Sequence, residues 1–377
     1  MKNNFEVFTD CVYFPLDRPC SYQKNEDMKC GSCPHYKKIS QESSTKKILI
    51  IKLGAMGDVL RTTFLLNGLK QVYPESHITW IVAKNNAQVL EANSRVDKIV
   101  VDDEKTIKFL LENFFDIVIN LDLDPNSLAL AKLSVKKKLL GYSLDDKRDI
   151  ICSNEYAIKW LKMSAYDQLK RENDKTYQFF MAKIAELPND KYEIIVPLLT
   201  SSVAKANEFL KGLNLGAYKK IIGLNPGAGK RWPLKKWTTG GYIETAKHFS
   251  KLGCIILLLG GAQDEKEVNE ILSQNIKNVF SAGINHSVAD FFAIINLCDI
   301  ILCPDTMALH ASLGLKKNVA AVFGPTSQAE IEMYGRGTKV FADIDCLCCY
   351  RQTCDKKPNC MDLIDPQTII DAMEKYI

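Results

Sequence analysis

The sequence lacks an apolar run long enough to cross a membrane. Its longest apolar stretches are Cys254–Gly261, which is too short, and Ala289–Cys303, which includes two aspartates and an asparagine. The first residues, MKNNFEVFTDCVYF, also lack a basic region followed by an apolar core, so no secretory signal peptide is predicted. These absences favour a cytoplasmic protein.

The sequence also lacks a large excess of positive or negative side chains. The 49 Lys and Arg side chains nearly balance the 45 Asp and Glu side chains, which leaves a formal net charge of +4. A charge this small argues neither for nor against nucleic-acid binding, and nucleic acid is not among the partners we expect. The apolar fraction of 46% and the charged fraction of 25% are typical of a globular protein, and 377 residues suit two domains.

Short apolar strands alternate with amphipathic helices along most of the chain. Residues 1–45 form a polar, cysteine-bearing extension, and the alternation that follows it is typical of βαβ units around a parallel sheet. We therefore predict an α/β fold in which two similar open halves, residues 46–195 and 215–377, face a central cleft. Ligands of such sheets bind beyond the carboxyl ends of the strands. The predicted strands are Lys47–Lys52, Ile78–Val82, Lys98–Val101, Asp116–Leu121, Ile221–Asn225, Cys254–Gly260, Val279–Ser281, Asp299–Cys303 and Val319–Phe323, and the predicted helices are Asp58–Tyr73, Asn173–Leu187, Gly241–Leu252, Asp264–Gln274, Ser287–Leu297 and Met307–Leu313.

The first chemical motif is the loop Leu53–Val59, which follows a strand and opens a helix. Its glycines allow a tight turn and a close approach to a ligand, but the dinucleotide pattern G-x-G-x-x-G is absent and only G-x-x-G-D is present. Asp58 would repel a pyrophosphate at this position. It either caps the helix or faces the cleft as a carboxylate.

Two further loops follow strands of the second half. Leu224–Pro233 contains Lys230 and Arg231 after a glycine turn, which suits a diphosphate or is an exposed basic turn; the phosphate-loop pattern fails at Leu224. In Cys303–His310 a helix begins near Asp305 and Thr306, so its free N–H groups favour an anion. His310 lies one turn further on, where a histidine by itself would usually be a core residue.

Four segments taken together resemble one known family. KLGAMGDVLRTT, NPGAGKRWPLKKW, PDTMALHAS and VFGPT are similar, in order and spacing, to the signature segments of the ADP-heptose:lipopolysaccharide heptosyltransferases, glycosyltransferase family nine, and the resemblance covers roughly residues 46–377. It implies a GT-B fold with two Rossmann-like domains, the first binding the acceptor and the second the nucleotide-sugar. It also implies inverting transfer of heptose or a related sugar, ADP-linked, to a hydroxyl of a glycan such as the lipopolysaccharide core.

The resemblance also implies roles for individual residues. It makes Asp58 the catalytic base, Lys230 a contact of the diphosphate, and Asp305, Thr306 and His310 neighbours of the donor. Met307 and Ala308 depart from the glycine and small polar residue of many relatives, so a backbone contact that needs that glycine is in doubt. The remaining predicted contacts are Gly227, Ala228 and Gly324 for the donor and Gly57, Asp122 and Asp124 for the acceptor, although capping or turn roles are as common for the two aspartates.

No divalent metal is expected in catalysis, because a lysine and a helix dipole suffice to stabilise the leaving diphosphate. A lipid-linked acceptor would bring the enzyme into peripheral contact with the inner membrane surface. Two alternatives remain open. One is another GT-B-like sugar-nucleotide enzyme, such as an epimerase, and the other is a non-catalytic sugar-nucleotide-binding protein.

Nine of the 13 cysteines fall near the two ends of the chain. The N-terminal cysteines suit a structural zinc through a C-x2-C pair. The C-terminal cysteines are either a second metal site or reduced thiols under a loop, and some relatives hold iron or zinc there. One joint site is a further alternative, and an iron–sulfur cluster is another because thiolates ligate both. Eight of the nine are candidate metal ligands, and the ninth is Cys348. The N-terminal cysteines are Cys11, Cys20, Cys30 and Cys33, and the C-terminal cysteines are Cys346, Cys349, Cys354 and Cys360.

Overall fold

The computed structural model describes residues 6–38, 45–229 and 232–377. Contacts divide the chain into two compact units, Met1–Thr45 and Lys46–Ile377. Within the first unit lie helix α1 (Ser21–Glu26), a 3-10 turn over Cys30–Ser32 and an antiparallel bridge between Cys11 and Lys38. In the described ranges, no helix combines the length and the apolar character that a membrane span requires.

The first half of the large unit is an open sheet with helices on its faces. Its strand order is β3-β2-β1-β4-β5-β6, and every neighbouring pair is parallel except β5 with β6. The strands are β1 (Lys47–Ile51), β2 (His77–Val82), β3 (Lys98–Val101), β4 (Phe114–Asn120), β5 (Val135–Leu144) and β6 (Ile150–Cys152), and the helices are α2 (Met56–Thr62), α3 (Phe64–Val72), α4 (Thr106–Glu112), α5 (Pro125–Leu133), α6 (Glu155–Ala165), α7 (Asp167–Glu172) and α8 (Tyr177–Ile184).

The second half repeats this order after the connecting helix α9 (Thr200–Gly212). Its sheet runs β9-β8-β7-β10-β11-β12 and is parallel throughout. In both sheets the order in which strands are added switches to the other side of the first strand, between β1 and β4 and between β7 and β10. Such a switch point is where folds of this kind bind ligands. The strands are β7 (Ile221–Leu224), β8 (Ile255–Leu258), β9 (Val279–Ser281), β10 (Ile300–Pro304), β11 (Asn318–Phe323) and β12 (Gly337–Phe341), and the helices are α10 (Thr239–Lys251), α11 (Glu265–Leu272), α12 (Val288–Leu297), α13 (Met307–Gly314) and α14 (Pro366–Glu374).

A continuous apolar core joins the two halves. Ile48, Ile50 and Trp80 of the first sheet belong to the same buried cluster as Phe292 and Leu309 from helices of the second half. Strands with near-continuous apolar sequence are expected where helices cover both faces of a parallel sheet. The predicted α/β fold with two Rossmann-like halves is therefore confirmed.

The predicted helix over residues 58–73 is the clearest local difference. It begins earlier, at Met56, and is divided at Thr63 into α2 and α3. The Thr63 hydroxyl donates to the carbonyl of Leu60 at 2.7 Å and also contacts the carbonyl of Ile195 at 3.0 Å. Because this side chain bonds to backbone groups inside and outside the helix, it competes with the regular helical pattern.

Candidate functional site

A cavity of about 640 Å³ lies beyond the carboxyl ends of the strands in the large unit. Loops that follow β1, β7, β8, β10 and β11 all contribute to its wall, so both halves line it. Its volume is within the usual range for a site that binds a small molecule or cofactor, about 300–1,000 Å³.

A nearly buried ion pair holds the first glycine loop. Lys52 contacts one carboxylate oxygen of Asp122, and the other oxygen accepts the backbone N–H groups of Leu53 and Gly54 at 2.6 and 3.0 Å. Both oxygens of Asp122 thus fix the turn from β1 into α2. Asp122 is not among the described residues that line the cavity, and its contact with an acceptor stays a prediction.

Asp124 is the N-cap of α5. Its carboxylate accepts the N–H groups of Asn126 and Ser127, both at 3.1 Å, and its side chain is exposed. Asp124 is also missing from the described wall of the cavity. In this structure the contacts of Asp124 are therefore those of a helix cap.

Asp58 does not cap its helix. The N-cap of α2 is Ala55, and the carboxylate of Asp58 instead contacts Arg61 on the same helix face, with 2.8 Å between Oδ1 and Nη2. Burial alone would raise the pKa of Asp58, but the positive charges of Arg61 and Lys52 outweigh it and lower the pKa below its ordinary value. An ionised carboxylate therefore faces the cavity.

Arg61 links Asp58 to two other parts of the fold. Its guanidinium lies 3.8 Å from the ring centroid of Tyr177 and 3.9 Å from a carboxylate oxygen of Glu330. Glu330 also accepts a hydrogen bond from the Tyr350 hydroxyl at 3.1 Å. Neither Arg61 nor Glu330 was predicted from the sequence, although the three-residue spacing from Asp58 signals that Arg61 shares its helix face.

A second ion pair lies in the other half. Lys235 Nζ is 2.8 Å from Asp305 Oδ2, which also accepts a hydrogen bond from the Thr326 hydroxyl at 2.8 Å. Burial would raise the pKa of Asp305, but Lys235 outweighs it and holds the pKa well below its ordinary value. Thr306, the N-cap of α13, follows at once, so Lys235 and the start of α13 meet at the cavity.

Helices α2 and α13 approach closely across the cavity. A Cβ atom at Gly57 would lie 3.3 Å from His310 Cδ2 and 3.4 Å from the Met307 backbone, so a larger residue there would crowd this crossing. His310 itself is 5% exposed and lines the cavity. Burial and the positive charge of Arg61 lower the pKa of His310 to about 4, which makes it neutral at neutral pH.

The loop after β7 forms another wall. A Cβ atom at Gly227 would lie 2.1 Å from Asp264 Oδ2, so only glycine fits there, and Gly229 has a positive φ of 69°. Ala228 lines the cavity with both glycines, and so does Asp264, which the sequence analysis missed. Lys230, the predicted diphosphate contact, lies outside the described residues.

The segment with the C-terminal cysteines packs beneath the end of β11. A Cβ atom at Gly324 would lie 2.8 Å from Cys360 Sγ, so this glycine permits the close approach; it does not appear in the described cavity wall. Burial raises the pKa of the Cys360 thiol to about 11, and the other three C-terminal cysteines add to the shift. Tyr350 of the same segment reaches the cavity.

The N-terminal cysteines line a separate cavity within the first unit. Over residues 6–38, 45–229 and 232–377, no three His, Cys, Asp or Glu side chains are close enough together to hold a single metal ion. The predicted zinc geometry is therefore not formed at either cluster in the described structure.

We expect His310 to make the protein less stable in mild acid. Its pKa is about 4 in the fold against 6.5 in the unfolded chain, so protons bind the unfolded state first. Its contribution is complete above pH 6.5 and is lost as the pH falls towards 4, by about 3 kcal/mol of unfolding free energy. Denaturant titrations across this window should show that His310→Asn flattens the decline; an unchanged slope would contradict the assignment.

Comparison with known proteins gives the family. The sequence model of "Glycosyltransferase family 9 (heptosyltransferase)" matches residues 104–359. Lipooligosaccharide heptosyltransferase 2 of Campylobacter jejuni is 30% identical over 45% of this chain. That match spans 55% of the relative, so the chain covers about half the length of the first curated relatives.

Solved structures show the same fold. A family 9 glycosyl transferase from Veillonella parvula is 20% identical, covers 88% of this chain and 97% of its own, and has a TM-score of 0.68. The Escherichia coli ADP-heptose lps heptosyltransferase II is 17% identical, with 88% and 98% covered and a TM-score of 0.62. Since the family model matches well over half of the sequence, the chain belongs to glycosyltransferase family 9, the heptosyltransferase family.

Proposed function

We propose that this protein is an inverting glycosyltransferase that moves heptose or a related sugar from an ADP-linked donor to a hydroxyl of a glycan such as the lipopolysaccharide core. One observation carries the proposal. An ionised carboxylate from the first half, Asp58, faces the Lys235–Asp305 ion pair of the second half in one cavity. The proposed base and the proposed leaving-group stabiliser thus come from different halves of the fold, which suits a single displacement between an acceptor and a donor.

The donor diphosphate is proposed to lie against the second half. Lys235 supplies a positive charge there, and α13 points the free N–H groups of its first turn towards the cavity. The loop at Gly227 and Ala228 offers backbone close to the same space. The family resemblance adds Lys230, Thr306 and His310 as further proposed contacts of the donor.

Asp58 would then act on the acceptor. Its carboxylate accepts the proton of the acceptor hydroxyl while that oxygen forms a bond to the anomeric carbon of the donor sugar. The bond between this carbon and the diphosphate oxygen breaks on the opposite face, and the leaving oxygen keeps the electron pair. Lys235 and the α13 dipole stabilise the negative charge that develops. The product has inverted configuration.

Names of relatives support the choice of donor and acceptor. The Escherichia coli relative is described as an ADP-heptose lps heptosyltransferase, and the Campylobacter relative as a lipooligosaccharide heptosyltransferase. A lipid-linked acceptor of this kind would be met at the cytoplasmic face of the inner membrane. We therefore propose that the protein works there as a peripheral enzyme.

A turnover assay with separated substrates tests this function. Purified protein is given ADP-heptose with a heptose-deficient lipopolysaccharide, and we expect ADP release and a matching mass gain of the acceptor only when both are present. GDP- and UDP-sugars serve as controls and should neither react nor raise the melting temperature as ADP-heptose does. Donor consumption without acceptor would instead indicate an epimerase or hydrolase, and binding without any turnover would indicate a non-catalytic protein.

A further inference from the structure

We propose that Glu330 is a positioning residue for sugar transfer that acts through Arg61 on the base Asp58. This role rests on the proposed function, in which Asp58 accepts the proton of the acceptor hydroxyl. Both carboxylates contact one guanidinium: Asp58 Oδ1 lies 2.8 Å from Arg61 Nη2, and Glu330 Oε2 lies 3.9 Å from Arg61 Nη1. All three side chains line the cavity, so Arg61 has one acidic partner from each half of the large unit.

Arg61 has little besides these carboxylates to balance its charge. Its side chain is 14% exposed, so water solvates only a small part of the guanidinium. One face of the guanidinium packs on the Tyr177 ring, and its buried Nε has no hydrogen-bond partner among the described residues. A nearly buried cation that loses its carboxylate is strongly destabilising, so Arg61 depends on these two carboxylates.

The fold holds Glu330 beside Arg61. The Tyr350 hydroxyl donates to Glu330 Oε1 at 3.1 Å and accepts the Ser327 N–H at 3.3 Å, which leaves Oε2 for Arg61. The backbone carbonyl of Glu330 accepts the Tyr177 N–H at 2.8 Å, so the residue is also joined to the start of α8. Because α8 carries the ring that packs on Arg61, the same contacts hold the carboxylate and the guanidinium together.

The transfer step changes the charge on only one of the two carboxylates. Asp58 becomes neutral when it accepts the proton, and Arg61 then loses its nearer partner. Burial raises the pKa of Glu330, Arg61 opposes the rise, and the negative charge of Asp58 adds to it. Once Asp58 is neutral it no longer adds to the rise, so Glu330 favours its ionised form when Arg61 depends on it alone. Glu330 therefore makes protonation of Asp58 less costly, which strengthens Asp58 as a base.

Steady-state kinetics of Glu330→Gln test this role, with Glu332→Gln as the matched control. Glu332 accepts the Tyr334 N–H at 2.8 Å and is absent from the described cavity wall. We expect kcat of Glu330→Gln to fall by about tenfold, the rate equivalent of an ordinary coupling within an ion-pair network, while KM for ADP-heptose stays unchanged. An unchanged kcat, or an equal fall in the control, would overturn the proposal.

The same substitution in an Arg61→Gln background shows whether Glu330 acts through Arg61. That background has no guanidinium to share, so adding Glu330→Gln should leave kcat as it is in Arg61→Gln alone. A further fall would mean that Glu330 acts on the substrates directly, which contradicts a positioning role. The double variant has no uncompensated guanidinium, so the comparison still decides the question if Glu330→Gln alone does not fold.

A double-mutant cycle on stability separates this proposal from the proposed function, because it needs no turnover. Denaturant titrations compare Asp58→Asn, Glu330→Gln and the variant with both changes. If both carboxylates compensate Arg61, the double variant should lose more unfolding free energy than the two single variants together. Additive losses would overturn the proposal even if the wild-type protein transfers heptose. A non-additive cycle without ADP release by the wild-type protein would instead overturn the proposed function and leave Arg61 shared by two carboxylates.

Discussion

Asp58→Asn should lower kcat by about 10²- to 10⁴-fold, the usual contribution of a general base, while leaving ADP binding nearly unchanged. The amide keeps the shape of the carboxylate but cannot accept the proton of the acceptor hydroxyl. Arg61 retains Glu330 as a partner at 3.9 Å, so the charge left behind is still compensated. Steady-state kinetics with the glycan acceptor and ADP titration calorimetry measure the two effects separately.

The pH profile adds a second readout for the same residue. Because Arg61 and Lys52 lower the pKa of Asp58, the wild-type base stays ionised and its activity should not fall around pH 6.5, where an ordinary histidine base would titrate. Asp124→Asn is the matched control, since this exposed aspartate caps α5 outside the described cavity wall and should keep normal kcat. Near-normal turnover by Asp58→Asn would remove it as the base.

The fold was predictable because its signals are local. Buried runs such as Ile48–Ile51 and the loops that follow them are visible in the sequence, and the strand over Val279–Ser281 was placed with its exact ends. The edge strand β12 was missed because Gly337–Phe341 begins with a glycine and two polar residues, so its sequence lacks the apolar run of a buried strand. The break at Thr63 was missed because it depends on the carbonyl of Ile195, which is distant in sequence.

The sequence identified the loops that form the candidate site, but it did not identify the ion pairs within it. Asp58 and Asp305 lie in motifs that are recognisable in the sequence. The basic residue that pairs with each of them is not specified by those motifs. Lys230, Lys235 and Lys236 are equally basic in the sequence, and only the tertiary structure brings Lys235 to Asp305. Asp122 stays a predicted acceptor contact, and the sequence did not show that one of its carboxylate oxygens also accepts the backbone N–H groups of Leu53 and Gly54.

Lys235→Met should be destabilising as well as inactivating. Lys235 and Asp305 are 14% and 13% exposed, so removing the lysine leaves a nearly buried carboxylate without its cation, at a cost of about 3–5 kcal/mol of unfolding free energy. If Lys235 also stabilises the leaving diphosphate, kcat/KM for the donor should fall by about 10²-fold or more. Lys236→Met is the matched control, because its partner is Glu267 and it does not line the described cavity.

The double variant Lys235→Met/Asp305→Asn separates these two effects. Replacing both charges with neutral groups of similar size removes the uncompensated carboxylate, so denaturant titrations should recover most of the lost unfolding free energy. Activity should stay low, because the diphosphate still lacks its cation. If activity returned together with stability, Lys235 would serve only to neutralise Asp305, and the cation that stabilises the leaving group would have to be sought elsewhere, first at Lys230.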